Sequence, residues 1–431
     1  MAAQCAESYD ESTLWPVLSC RPYSASMATD VVQRSRRGSG ALLPLGLVFL
    51  TVGIPIATTM PFLSLFLSTA VHAGPVQVTA FLIAMPLAGV LVSTQIGRLS
   101  DRRPIRRGLL IVGSAAGVIG CGLTAFVRDY RVLLALTVTA TAVAGTLFPQ
   151  TFAYARQVLA RYGANRAAMG ISALRTVFSL AWVAGPPLAT LLLEVGGFAY
   201  VFGVAAAMYA VAALVTIFWL EPVDAPGPPT VARDDGPTAD VPDAREASRR
   251  TLLLTAAGFT LLQAPLTLGV QALPLFISSD LGGHVSEAGV ILGLCAALEI
   301  PLMLTMGALT TRIPLRPLML AGTACGVVYY AVAALTTGVP LLAGAQIVNA
   351  VFIAAVSGLG ISYMQELLPR YPGRATTLYT NTFPIGAMLA GPLFGLAQHF
   401  GFRLAYVMGT ALCVAGLLVL LTTRPENGAR T

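Results

Sequence analysis

Residues 221–250 read EPVDAPGPPTVARDDGPTADVPDAREASRR, and they are the one long polar stretch between residues 41 and 422. Proline, glycine and aspartate dominate them, so they read as a flexible linker rather than as a packed element. Outward on both sides the character reverses. Apolar runs occupy roughly 41–70, 75–99, 108–127, 132–154, 166–193 and 198–220 before the linker. They resume at 251–278, 286–306, 318–337, 340–363, 375–397 and 402–422 after it. Each run is long enough to cross a hydrocarbon core as a helix, some with tilt. Helices are required, because lipid satisfies no open strand edge.

The whole-chain composition agrees. Of 431 residues, 56% are hydrophobic and 10% charged, against about 25% charged in an ordinary soluble domain. A cytosolic enzyme, a disordered chain and a secreted disulfide scaffold are excluded on that ground. All 26 basic residues are Arg, with no Lys. The net charge of +7 does not point to nucleic acid, because all the arginines but Arg175 sit in the tails, the linker or the loops between apolar runs. Six Cys without a CxxC spacing and three His argue against a metal site or a disulfide framework.

The reading is therefore an all-α membrane protein with twelve transmembrane helices in two six-helix bundles. Residues 1–40 are expected as an irregular cytoplasmic tail, 41–220 as the first bundle and 221–250 as a cytoplasmic linker. Residues 251–422 form the second bundle and 423–431 the cytoplasmic C-terminal tail. Arg36-Arg37 precede a run too long for the core of a signal peptide. The tails, the linker and the loops after spans 2, 4, 8 and 10 hold 22 arginines, while the other side holds Arg128, Arg131 and Arg403. The bias places both termini in the cytoplasm, in a multi-pass protein of the cytoplasmic membrane.

The halves resemble each other. LSLFLS at 63–68 precedes LPLFIS at 273–278 by 210 residues. Gly97, Leu99, Arg102 and Arg106 recur as Gly307, Leu309, Arg312 and Arg316 at that same offset. The triplet Ala184-Gly185-Pro186 recurs as Ala390-Gly391-Pro392. Two related bundles on one linker are the plan of a secondary transporter with its site between them.

The loop after span 2, from Gly97 through Asp101, Arg102 and Arg106 to Arg107, is similar to the signature loop of the major facilitator superfamily, with Pro104 where a Gly is usual. Asp101 at a helix end accepts backbone N–H bonds and pairs with arginine. Making and breaking such bonds biases a gate between two states. The bland alternative is charge that only sets topology. Ala184-Gly185-Pro186-Pro187 in span 5 resembles the Gly-Pro element of exporters in that superfamily, although packing alone also accounts for it.

Arg175 and Glu299 are the charges deepest in the spans, each about 12–15 Å from the expected cytoplasmic surface at 1.5 Å per residue. Buried charge in a membrane helix marks a functional site by default. The pair is assigned to proton coupling, a fixed structural ion pair being the alternative. Ser172, Arg175, Ser179 and Trp182 share one helix face. The remaining polar groups in the spans include Thr58, Thr59, Gln150, Gln263, Gln271, Asn349 and Asn381. All but Asn381 fall on spans 1, 4, 7 and 10, which the resemblance implies line the cavity. With Tyr154 and Trp182, these amides suit a neutral polyol, and each serves equally as a link between helices.

Five stretches narrow the resemblance to the sugar efflux transporters of the superfamily: 63–68, Pro149-Gln150 with Phe152-Ala153 and Ala155-Arg156, Arg175 with 179–183 and 185–189, Leu298-Glu299-Ile300-Pro301, and 363–369 with 375–378 and Thr380-Asn381. That resemblance implies proton-driven export of sugars and glycosides. The expected partners are a small sugar or glycoside, protons and the bilayer, without nucleic acid, cofactor or metal, and the chain is expected to be a monomer. A multidrug antiporter of the same fold is the runner-up, with a membrane sugar sensor third. No Ser-His-Asp or metal-ligand grouping suggests an enzyme, because His72, His284 and His399 lie near the far ends of spans.

Overall fold

The computed structural model describes residues 25–102, 105–161, 164–221 and 247–423, with side chains from Leu42 onward except at 101–102, 164–166 and 168. Those residues form twelve helices. In the first half they are α1 (Ala25–Thr59, resuming at Leu63–Thr69), α2 (Pro75–Arg102), α3 (Arg106–Thr124), α4 (Tyr130–Ala160), α5 (164–195) and α6 (198–218). In the second half they are α7 (Arg249–Ser279), α8 (Val285–Leu309), α9 (Leu315–Leu335), α10 (Val339–Leu367), α11 (Pro372–Phe400) and α12 (Arg403–Thr422).

Ten helical stretches are apolar and long enough to cross a membrane, and one of these, Met169–Phe218, holds both α5 and α6. The break between them lies at Gly196 and Gly197. Gly197 has φ 66°, which a side chain would disfavour. The twelfth, α11, has 29 residues but is too polar for that test.

Local chemistry explains the interruptions. Pro61 has no N–H to give, so α1 breaks after Thr59 and restarts at Leu63. Asp129 starts α4 by accepting from the N–H groups of Arg131 and Val132 at 2.9 and 3.0 Å. A π turn over Thr137–Thr141 and a break at Thr146 divide α4. Pro149 leaves the Gly145 carbonyl without its helical donor at that break. One expectation shifts at the start of the chain. α1 begins at Ala25, inside the stretch read as irregular tail. Most of the linker, residues 222–246, and residues 424–431 lie outside the described residues.

The halves meet along three seams. α5 packs on α8, α2 on α11, and the end of α1 on α7. At the first, a methyl group added at Gly289 would sit 2.6 Å from the Pro186 carbonyl oxygen. One added at Gly293 would sit 2.7 Å from the Val183 carbonyl oxygen. Pro187 cannot donate to that Val183 carbonyl, so proline on α5 and glycine on α8 let the two backbones touch. At the second, the Thr79 hydroxyl donates to the Gly391 carbonyl at 3.3 Å and Gln398 donates to the Ala73 carbonyl at 3.2 Å. At the third, the Ser64 hydroxyl donates to the Gln271 carbonyl at 2.6 Å.

These contacts cluster toward the end of the bundle away from the linker. Toward the linker end, Gln95 of α2, Arg175 and Thr176 of α5, and Thr377 and Asn381 of α11 are exposed. Polar faces on membrane helices belong to a water-filled cleft rather than to lipid. The molecule is thus closed at its far end and open at its linker end.

Candidate transport site between the halves

The cleft begins where the α5–α8 contact ends. On α5 the chain runs from Val183 back through Trp182, Ser179 and Arg175 toward the linker end, and on α8 it runs from Gly293 to Glu299. Six to eight residues separate these charges from the contact, about 9–12 Å. Glu299 is half-buried and Arg175 exposed. Arg175 is the charged side chain that acts on Glu299, and its field also reaches the Tyr379 hydroxyl of α11. Arg175 and Glu299 form no direct ion pair in this state. The sequence placed the two at similar depth, and in the structure Arg175 of one half acts electrostatically on Glu299 of the other without an ion pair.

Serine and threonine around Arg175 donate within their own helix. The Ser179 hydroxyl bonds the Arg175 carbonyl at 3.2 Å and the Thr176 hydroxyl bonds the Ser172 carbonyl at 3.2 Å. Their lone pairs stay free for a solute. The Tyr379 hydroxyl donates to the Val356 carbonyl at 2.6 Å.

The amides divide. Gln150, Gln263, Gln271 and Asn349 are buried, and each keeps one side-chain atom without a hydrogen-bond partner. A buried unpaired polar atom costs about 1–3 kcal/mol, so such atoms call for water or a solute. Asn349 differs from expectation in its other atom. Its amide nitrogen donates to Gln346 at 2.9 Å and to the Cys295 sulfur at 3.4 Å, and Gln346 in turn donates to the Tyr329 hydroxyl at 3.1 Å. That network ties α8, α9 and α10 together. Asn381 is exposed on α11. Tyr154 is a correction: it is buried, and its hydroxyl donates to the Glu221 carbonyl at 2.7 Å where the linker leaves α6. It holds the linker and does not face the cleft.

The stretch read as a loop is mostly helical, with Gly97 to Arg102 ending α2 and Arg106 and Arg107 starting α3, and a methyl group added at Gly97 would meet nothing within 4 Å. The side chains of Asp101 and Arg102 lie outside the described residues, so their bonding does too. Arg106 is engaged rather than free. Arg107, the last residue of the signature motif, bonds the Thr216 and Ile217 carbonyls at the end of α6, at 3.2 and 2.6 Å. Arg316 repeats this on the Leu421 carbonyl at the end of α12, at 3.0 Å. A cation at a helix C-terminus is favourable. The sequence repeat pairs Arg316 with Arg106 rather than with Arg107, and the acceptors are distant in the chain.

A second cavity was not anticipated. It measures about 460 Å³ and lies wholly within the first half. Phe81, Phe148, Phe178, Trp182, Phe202 and Tyr209 line it, together with Thr137 and Thr141 of the π turn. Its walls are mainly apolar.

The model of the Major Facilitator Superfamily matches residues 45–271 and 267–431. The chain is a member of the Major Facilitator Superfamily. It is 35% identical to sugar efflux transporter B of Salmonella typhimurium, over 85% of this chain and 93% of that one. It is 34% identical to sugar efflux transporter A of Escherichia coli K12, over 90% and 97%. Among solved structures of the superfamily, the nucleoside transporter NupG matches with a TM-score of 0.70 at 15% identity, over 89% of this chain and 98% of that one. A bacterial homologue of the human lysosomal transporter Spinster, inward-facing and occupied, matches with a TM-score of 0.67 at 17% identity, over 89% and 95%. These likenesses establish a multi-pass membrane transporter of the superfamily, related to the sugar efflux transporters, and not an enzyme.

Proposed function

We propose that the chain exports small sugars or glycosides across the cytoplasmic membrane by proton antiport and alternating access. The observation that carries this reading is that Arg175 of one half acts electrostatically on the Glu299 carboxylate of the other, in a chain about 35% identical to sugar efflux transporters. A carboxylate and a guanidinium on opposite halves couple a proton to movement between them. The arginine bias supports a cytoplasmic linker end, so the cleft opens inward, ready to load. Gln263, Gln271, Gln150 and Asn381, with Trp182, supply hydrogen bonds and an aromatic face to a neutral polyol. Asp101 with Arg102 and Arg106 biases the gate. One chain supplies both halves of the pathway, so a monomer suffices.

The aromatic cavity favours a second reading, an exporter of solutes with a large apolar part. Trp182 lines that cavity and also shares the helix face of Arg175, so a glycoside with an apolar group fits both. Proteoliposomes preloaded with labelled glucose, sucrose, lactose or an apolar dye separate the readings. A proton gradient should accelerate loss of at least one sugar. Loss of the dye alone would replace sugar export by multidrug export, and no loss of any solute would bring the sensor forward.

A further inference from the structure

A third cavity, of about 380 Å³, lies on the far side of the α5–α8 contact. Thr69 at the end of α1, Thr190 and Glu194 of α5, Phe198 of α6, and His284 and Ser286 at the start of α8 line it. Both halves therefore contribute. The volume falls in the range of about 300–1,000 Å³ typical of small-molecule sites.

The lining is chemically specific. The Thr69 and Thr190 hydroxyls donate to the Leu65 and Pro187 carbonyls at 2.7 and 2.9 Å, which leaves both oxygens as acceptors. Glu194 adds a carboxylate with no hydrogen bond or ion pair among the described residues. Glu287, by contrast, is committed to the α8 start, where it accepts from the His284 N–H at 2.8 Å. The His284 ring and the Ser286 hydroxyl supply further polar atoms. Phe198 is set edge-on against Phe66 at 5.1 Å, and the Arg128 guanidinium stacks over Phe66 at 5.3 Å, which fixes the aromatic wall. Acceptor oxygens, a carboxylate and an aromatic face together suit a polyhydroxylated solute whose hydroxyls donate.

We infer that this cavity is an exit subsite, which holds the exported polyol after it passes the α5–α8 contact and before it leaves. The inference rests on the sugar-export reading above. Thr190 is placed to link the two sides, since a methyl group added at Gly289 would lie 2.6 Å from its hydroxyl oxygen. Opening the contact thus changes the wall of the subsite directly.

Leu193 also lines the cavity, so Leu193→Cys is a reporter. The full chain in proteoliposomes is labelled at the far end with a membrane-impermeant maleimide, the wild type giving the background of its own thiols. Whichever of glucose, sucrose and lactose is exported should slow labelling about fivefold when present at about four times its Kd. Adding Glu194→Gln should remove that protection. Export without protection, or protection that persists in the Glu194→Gln background, overturns the subsite while leaving the transport reading in place. The second of those results would assign the effect to movement of the halves. Absence of any sugar export would overturn the transport reading itself, and the subsite with it.

Discussion

Two seams of the molecule, α5–α8 and α2–α11, are versions of one contact, and they differ in the side chains that each carries into the cleft. Each is closed by small residues at the far end: Gly289 and Gly293 in the first, Gly391 against Thr79 in the second. Below the first come Arg175 and Glu299. Residues 75–97 of α2 and 375–398 of α11 contain no Arg, Asp or Glu. The duplicated architecture therefore supplies the hinge twice and the charge once. The pair we propose for coupling belongs to one side of the cleft, and the other offers neutral groups such as Asn381.

The largest effect should come from breaking that asymmetry. Glu299→Gln should reduce gradient-driven export to the rate seen without a gradient, while sugar exchange at equal concentrations persists. Asn381→Ala on the uncharged seam should leave the gradient response in place and weaken solute binding by about 0.5–1.5 kcal/mol, roughly 2- to 10-fold. Flux measured with and without an imposed gradient distinguishes them. Equal loss of coupling in both variants would mean that the two seams share the proton.

Next in size is the closure itself. Gly293→Leu places a side chain against the Val183 carbonyl, and Gly391→Leu one against Ile83 and the Thr79 carbonyl, at 3.3 Å from an added methyl group. Overpacking of this kind costs about 1–3 kcal/mol. Gly293, the tighter of these two sites, should suffer more. Both changes should shift the molecule toward the state open at the far end, read as accessibility of a far-end cysteine. A larger shift from Gly391→Leu would reverse the ranking of the seams.

The α1–α7 contact gives a smaller effect. Ser64→Ala removes the 2.6 Å bond to the Gln271 carbonyl, worth about 1 kcal/mol or roughly fivefold in the closed-to-open ratio. The same accessibility assay reads it.

Particular residues show what the sequence made legible. Twelve apolar runs, the linker and the repeats at an offset of 210 residues specify the two bundles, because hydropathy in a bilayer is a local property. The pause between runs 5 and 6 became the Gly196-Gly197 break. Arg175 and Glu299 stood out because a charge in an apolar run is conspicuous. Tyr154 was misplaced, since nothing local shows that its hydroxyl reaches Glu221. The aromatic cavity was missed for a related reason. Phenylalanines spaced along several helices look like ordinary core, and the π turn at Thr137–Thr141 has no strong sequence mark. The far-end cavity escaped notice because Glu194 and His284 look like routine helix-end residues.

The smallest expected effect bears on the loop between α2 and α3. Arg107 grips two carbonyls at the end of α6, and Arg316 grips one at the end of α12. A cation at a helix C-terminus contributes about 0.3–1 kcal/mol. Arg107→Gln should therefore lower the melting temperature in detergent more than Arg316→Gln does, each by a small amount. If docking is all that these arginines do, export per folded molecule stays near the wild-type rate in both variants. A fall in export for Arg107→Gln with an unchanged melting temperature would instead place Arg107 in the gate with Asp101. It would also extend the functional asymmetry of the halves from the charged seam to the loop, because GALTTRIPLR at 307–316 has no aspartate to answer it.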